Sequence, residues 1–258
     1  FGDVQAINVW GGEENDPPKY GKVLIAIKPT VGEELSPITK TKLIDEILKP
    51  YNIVAITPEI VDPEYIYVAT NSNIKYKKSL TNKSTGELTT VVEAAIEAQF
   101  NSDLNEFGST LRYSGIVASI DNAEASIISN VTTIQMSRRF LKDSTNTAGI
   151  YEIQYYNKII PGTVVSSTIV KTDVADYAIM DDGLGVMTLY NITAQAFENI
   201  EMGTVDYTTG KIELNGFLTE IDINQSISIY AAPEDTDISS EKNLLILFDS
   251  ATIEATPI

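Results

Sequence analysis

The patterning of the chain changes near Phe140. Before that point, long apolar stripes at helical spacing alternate with strand-like runs; after it, short strand-like runs follow one another between turn residues. A mixture of helices and strands predicts an α+β domain, whereas closely spaced short strands predict a β-sandwich or barrel. We therefore expect an α+β domain over residues 1–140, a polar linker over 141–149 and a β-rich domain over 150–258.

The first part predicts a mixed sheet with helices on one face. Its clearest signals are a buried strand at Lys22–Lys28, a helix whose N-cap is Ser36, and a long helical stripe that starts at Gly86. Pro50 is expected to end the helix that Ser36 starts. Strand-forming runs fill the remaining stretches, so the predicted order is β-α-β-β-α-α-β.

The second part predicts an all-β, sandwich-like domain. Turn pairs such as Pro161-Gly162 recur between runs of strand-forming residues. The stretch Asp206–Lys211 has the composition of a hairpin tip. Many short strands at such spacing are typical of sandwiches and barrels.

The residue types present remove most catalytic chemistry. The chain contains no His and no Cys, which excludes Ser-His-Asp and Cys-His catalysis and the usual zinc sites. Chemistry that needs carboxylates alone remains, such as glycoside hydrolysis or the binding of hard cations. The acidic loop Glu13–Asp16 lacks the alternating acidic positions of an EF-hand, so we expect a solvated loop. No catalytic, cofactor-binding or metal-binding residue is predicted.

The formal net charge of −18 limits the choice of partner. Affinity for phosphate backbones comes mainly from Lys and Arg, so neither nucleic acid nor an anionic membrane surface is an expected partner. No apolar run reaches the roughly 18–20 residues of a membrane span, and no secretory signal opens the chain. Because the chain starts at Phe1 without an initiator Met, we expect a piece of a longer protein.

Several segments carry a resemblance to a known family. The runs Gly2–Gln5 and Val9–Val23, the latter reading VWGGEENDPPKYGKV, resemble the baseplate wedge proteins of T4-like contractile-tailed phages. More distantly, they look like the baseplate J family. The stretches Leu104–Gly108 and Leu111–Ser114 and the hairpin Asp206–Ile212 are similar to segments of such tail proteins.

The resemblance is best over residues 1–140 and implies the C-terminal portion of a structural, non-enzymatic protein. Its expected place is the virion tail baseplate, assembled in the host cytoplasm. The family self-associates through dimer contacts and joins the wedges into a ring around the hub. Resemblance therefore implies a homodimer, a higher ring and other wedge proteins as partners, with no cofactor.

Interface residues are predicted from residue type, because aromatic and arginine side chains are enriched at interface centres. The candidates are Trp10, Tyr20, Arg138, Arg139 and Phe140. A second reading makes the β-rich part a sandwich that binds host-surface glycan, as in an adhesin or tail fibre, through exposed aromatics clustered on one face. A third reading is a hydrolase with two carboxylates roughly 5–10 Å apart.

Overall fold

The computed structural model describes residues 3–15, 17–51, 56–104, 106–141, 149–170, 176–215 and 226–258. The fold is α+β, as predicted. The chain divides into two compact units. The first unit comprises residues 1–65, 100–111 and 239–247, and the second comprises 66–99, 112–238 and 248–258. Most of the predicted linker, residues 142–148, lies outside the described residues, and the predicted domain boundary there stays a prediction.

Within the described residues, the α-helices are α1 (Pro37–Lys42), α2 (Thr85–Asp103) and α3 (Tyr113–Ala123). The first six strands are β1 (Val4–Gly11), β2 (Lys22–Pro29), β3 (Thr57–Val61), β4 (Glu64–Tyr76), β5 (Thr110–Leu111) and β6 (Ile127–Leu141). The next five are β7 (Tyr151–Gln154), β8 (Val165–Ser166), β9 (Ile169–Val170), β10 (Asp176–Asp181) and β11 (Val186–Asn191). The last five are β12 (Ala196–Asp206), β13 (Lys211–Leu214), β14 (Ser226–Ala231), β15 (Ile238–Ser239) and β16 (Leu244–Pro257).

A three-stranded sheet organises the first unit. Strand β2 lies in the centre, antiparallel to β1 and parallel to β3. Parallel neighbours need a crossover connection, which α1 and the turns after it provide. Ser36 caps this helix by accepting the Thr39 N–H at 3.2 Å, so the predicted start is confirmed.

The end of this helical segment differs from the prediction. After α1, a π-type turn over Leu43–Leu48 is followed by a 3-10 turn over Lys49–Tyr51. Pro50 therefore lies within the last helical turn instead of ending the segment before it. Proline has no N–H to donate to the regular helical hydrogen bond, and its ring clashes with the preceding turn. A widened turn is a usual place for a helix to absorb such an irregularity.

The second unit contains most of a larger sheet. Its strands follow the order β16-β4-β6-β14-β8-β10-β11-β12-β13-β7, and β9 pairs with β10 off this path. Tyr67 of β4 pairs with Ser137 of β6, and Ile227 of β14 pairs with Phe140 on the other side of β6. Strand β6 therefore joins β4 to the strands of the β-rich part.

Helices α2 and α3 show the predicted patterning within the second unit. The stripe along α2 buries Leu88, Val92 and Ile96 completely. Helix α3 packs on β6 and buries Ile116 and Ile120. Removing such side chains from water is the main stabilising contribution of these helices.

The sequence pattern did not predict β1 or β10, nor the two-residue strands β5 and β15. In β1 the register shifts between Val4 and Ala6, so an extra residue interrupts the two-residue alternation that identifies a strand. In β10 an Asp stands at each end, Asp176 and Asp181. Acidic residues are depleted in strands, so both ends resemble turns from sequence alone.

Candidate interaction surfaces

Trp10, the first predicted interface residue, lies in the core of the first unit. It is 8% exposed and packs with Leu24 and Ala26, against which Val61 and Phe107 also lie. Its indole N–H donates a 2.9 Å hydrogen bond to Oδ1 of Asn15. Trp10 therefore supports one face of the three-stranded sheet, and its proposed place in an interface stays a prediction.

Tyr20, the second candidate, is 80% exposed at the end of a compact loop. The carbonyl of Gly12 accepts the N–H groups of Asn15 at 3.2 Å and of Lys19 at 2.7 Å. A Cβ on Gly12 would lie 2.0 Å from the Lys19 carbonyl oxygen, so this close approach requires glycine. The loop thus holds Tyr20 in a defined place next to β2.

The remaining three candidates follow one another on β6 in the second unit. The Arg139 guanidinium lies 3.9 Å from the centre of the Tyr67 ring and forms an ion pair with Asp249. The Phe140 ring lies 5.0 Å from that of Tyr151. Arg138 is half-buried beside them. Arg139 and Phe140 therefore make contacts within the chain, and a role between chains stays a prediction.

An apolar stripe on β1 was not found by sequence reasoning. Val4, Ile7 and Val9 are 46%, 57% and 55% exposed. Val4 pairs with Pro29, whereas Ala6 pairs with Lys28. Directly opposed residues share a sheet face and neighbours along a strand alternate, so the shift turns Val4 to the same face as Ile7 and Val9. We call Val4, Ile7 and Val9 the β1 stripe.

The face that carries the β1 stripe is apolar across the sheet. Ile7 pairs with Ile27, and Val9 pairs with Ile25, whose next neighbour on β3 is Ile60. Ile27 is buried, and β3 contacts the π-type turn after α1. Val4, Ile7 and Val9 are more exposed than Ile25, Ile27 and Ile60 on this face. The exposure of the β1 stripe distinguishes it from the covered face that holds Trp10.

The two edges of this sheet differ in electrostatics. At the β3 edge, the Lys22 ammonium bonds Glu59 and lowers the pKa of that carboxyl below its ordinary value of 4.5. Strand β1, by contrast, contains no charged residue. A charge-free apolar strand at the edge of a sheet is suited to contact with another protein surface.

No group of three or more acidic side chains placed to hold a metal ion occurs among the residues whose positions the structure gives. Asp16 of the acidic loop lies outside that set. Within it, no helix has the length and apolar character needed to cross a membrane. The predicted lack of a cofactor is not tested by these findings.

Comparison with known proteins identifies the first part of the chain. Residues 1–61 match the family model of C-terminal domain I of the baseplate structural protein gp6, and residues 64–139 match C-terminal domain III. The baseplate wedge protein gp6 of Enterobacteria phage T4 is 28% identical over 235 residues, which is 89% of this chain. The chain spans about a third of the length of that relative.

These matches agree in what they describe. Both family models describe domains of a baseplate structural protein, and the T4 relative is a baseplate wedge protein. They confirm the predicted virion location in the tail baseplate and the similarity to wedge proteins. The chain therefore corresponds to the C-terminal portion of a baseplate wedge protein of the T4-like contractile-tailed phages.

Proposed function

We propose that this chain is a non-enzymatic assembly module that self-associates, as a homodimer and then a higher ring, to join baseplate wedges around the hub. The observation that carries the proposal is the match of residues 1–61 and 64–139 to two C-terminal domains of a baseplate structural protein. Other wedge proteins are its further partners. Self-association comes from the family resemblance and is the part that needs testing.

The surface of the first unit supports an assembly role. Exposed apolar side chains also occur outside the β1 stripe, at Tyr20, Val31, Ile47 and Tyr51. Exposed apolar side chains of this kind are covered when a folded protein contacts another protein. Such a distribution is expected of a module whose exposed apolar side chains become buried when it assembles with other chains.

The chemistry of the chain supports the non-enzymatic part of the proposal. Without His or Cys, proton transfer near neutral pH would fall to carboxylates or tyrosines. Burial raises the pKa of the Tyr155 hydroxyl, and burial followed by the hydrogen bond to Asp181 raises the pKa of Tyr207 to about 12. Both shifts move these groups away from the range that suits general acid–base catalysis.

Size-exclusion chromatography coupled to light scattering, over a range of protein concentrations, tests self-association. The proposal predicts a mass that rises from the 28.2 kDa of the chain towards a dimer or a closed multimer as concentration increases. A mass that stays at the monomer value up to the highest attainable concentration would contradict self-association by this portion of the protein.

A further inference from the structure

The outer edge of β1 has no strand beside it in the described part of the chain. The strand order β1-β2-β3 places β1 at the end of its sheet. The Val9 N–H donates to Oδ1 of its neighbour Asn8 at 3.0 Å instead of to β2, so a partner strand would take the place of this local hydrogen bond. An open edge offers a row of backbone donors and acceptors to another strand.

The usual protections of a sheet edge are distributed unequally here. Proteins protect edges with charged side chains, prolines and bulges. The β3 edge has a proline and a charged side chain, because it contains Pro58, which lacks an N–H, and Glu59. The sequence of β1, VQAINVWG, has neither, and its one irregularity is the bulge near Val4. From Ala6 to Gly11 the register with β2 is regular, so most of the edge is straight enough to accept a partner.

Charge decides which partner suits this edge. The chain carries a formal net charge of −18, so two copies repel each other over most of their surfaces. Strand β1 is an exception, since none of its eight residues is charged. Two copies can meet there without placing like charges directly opposite each other, which would be destabilising. A strongly basic partner, by contrast, would gain nothing from a charge-free strand.

We propose that a second copy of this chain adds its own β1 to this edge. The two strands run antiparallel about a two-fold axis, and the two three-stranded sheets become one six-stranded sheet. The proposal rests on the self-association in the proposed function and names its surface. A two-fold contact uses the same patch on both copies.

The geometry of such a pairing also covers the β1 stripe. A two-fold axis perpendicular to the sheet keeps Val4, Ile7 and Val9 of both copies on one face. Cross-strand neighbours have Cβ atoms about 4.5–5.5 Å apart, so the two stripes contact each other. Strand pairing and apolar burial therefore act at the same place. A contact built on one eight-residue strand is small, so we expect a dissociation constant for the dimer on the order of 1 μM.

Sedimentation of the full chain and its variants tests the proposal. Ile7→Lys puts a charge in the centre of the β1 stripe, opposite its symmetry mate. It is expected to weaken the dimer at least about tenfold. Ile38→Lys is the matched control, because Ile38 is 70% exposed on α1, and its dissociation constant should stay within about twofold of the parent value.

A second variant separates the backbone ladder from the apolar contact. Val9→Pro keeps an apolar side chain but removes an amide N–H that does not donate to β2, and proline is tolerated on strand edges. It is also expected to weaken association about tenfold. Circular dichroism and the melting temperature check that each variant folds.

The outcomes separate the two proposals. A parent chain that dimerises while Ile7→Lys and Val9→Pro, both folded, dimerise equally well would overturn the β1 contact and leave self-association standing. A parent chain that stays monomeric overturns self-association and the β1 contact with it.

Discussion

The hydroxyl of Tyr207 donates a 2.7 Å hydrogen bond to Oδ2 of Asp181 and accepts the N–H of Gly185 at 3.1 Å. Asp181 is 6% exposed and also accepts the amides of Gly162 at 2.7 Å and Val164 at 2.9 Å. The Asp181 carboxylate thus joins the loop that contains Gly162 and Val164 to the turn that contains Tyr207. Because a buried charge destabilises the folded state unless it is hydrogen-bonded, each of these hydrogen bonds is expected to raise the free energy of unfolding.

Replacing Tyr207 by Phe tests this bond. The variant leaves the Asp181 carboxylate short of one donor, and a hydrogen bond to a charged group contributes about 1.5–3 kcal/mol. We expect the free energy of unfolding in urea to fall by about that amount. Tyr20→Phe is the control, since Tyr20 is 80% exposed, and should change it by less than about 0.5 kcal/mol. Equal stability of both variants would show that the network is not stabilising.

The same pair predicts a dependence on alkaline pH. Burial, and next the hydrogen bond to Asp181, raise the pKa of Tyr207 from 10.0 to about 12. A group whose pKa is higher in the folded state stabilises fully below its unfolded pKa, and this contribution is lost as the pH rises towards the folded value. The stability difference between the parent and Tyr207→Phe should therefore narrow from about pH 10 towards about pH 12. Urea unfolding at about pH 8 and about pH 11 measures it, and a difference independent of pH would contradict the assignment.

Gly12 offers a test of the loop that presents Tyr20. A Cβ there would lie 2.0 Å from the Lys19 carbonyl oxygen, a backbone atom with little freedom to move. Gly12→Ala is expected to destabilise the first unit by about 1–3 kcal/mol. Gly86→Ala is the matched control, because Gly86 lies in α2 and the added Cβ would have no atom within 4 Å apart from its chain neighbours and the nearby backbone of the same helix. This variant should be neutral or slightly stabilising. Thermal unfolding measures the melting temperature of each variant. Equal melting temperatures of the two variants would contradict the close packing at Gly12.

Arg139 gives a prediction about contacts within one chain. It lies over the Tyr67 ring and pairs with Asp249, and its side chain is 44% exposed. A partly exposed cation–π contact contributes about 0.5–1 kcal/mol, so Arg139→Ala should lower the free energy of unfolding by roughly 1 kcal/mol. A double-mutant cycle with Tyr67→Leu measures their coupling. A coupling of zero would leave an intermolecular role as the better explanation of this arginine.

The fold followed from the sequence where local chemistry and periodicity agree. The charged ends of β2 and the Ser36 cap of α1 identify those elements without tertiary information. The bulge in β1 hides a strand, because one extra residue reverses the alternation. The pairing of β14 with β6 joins residues far apart in sequence, and periodicity carries no information about such partners.

The β1 stripe was not predicted for a related reason, and the interface role of the five predicted residues stays a prediction. Selection by residue type chose Trp10, which packs in the core, and Arg139, which has an ion-pair partner in its own chain. The β1 stripe consists of ordinary aliphatic residues, and its exposure depends on the sheet register and on where α1 and the turns after it lie. Both are tertiary properties, so residue type alone does not show them.

The most direct test of the central claim uses the absence of cysteine from the chain. Ile7→Cys introduces a single thiol at the proposed two-fold contact, and Ile38→Cys introduces one at a more exposed site on α1. A disulfide forms only when the two Cβ atoms approach to about 3.5–4.5 Å. Under mild oxidation, non-reducing gel electrophoresis of the Ile7→Cys protein, and of neighbouring Gln5→Cys and Val9→Cys proteins, measures that approach. The account predicts a covalent dimer for at least one β1 position and little for Ile38→Cys. Efficient cross-linking of Ile38→Cys with none at β1 would contradict it.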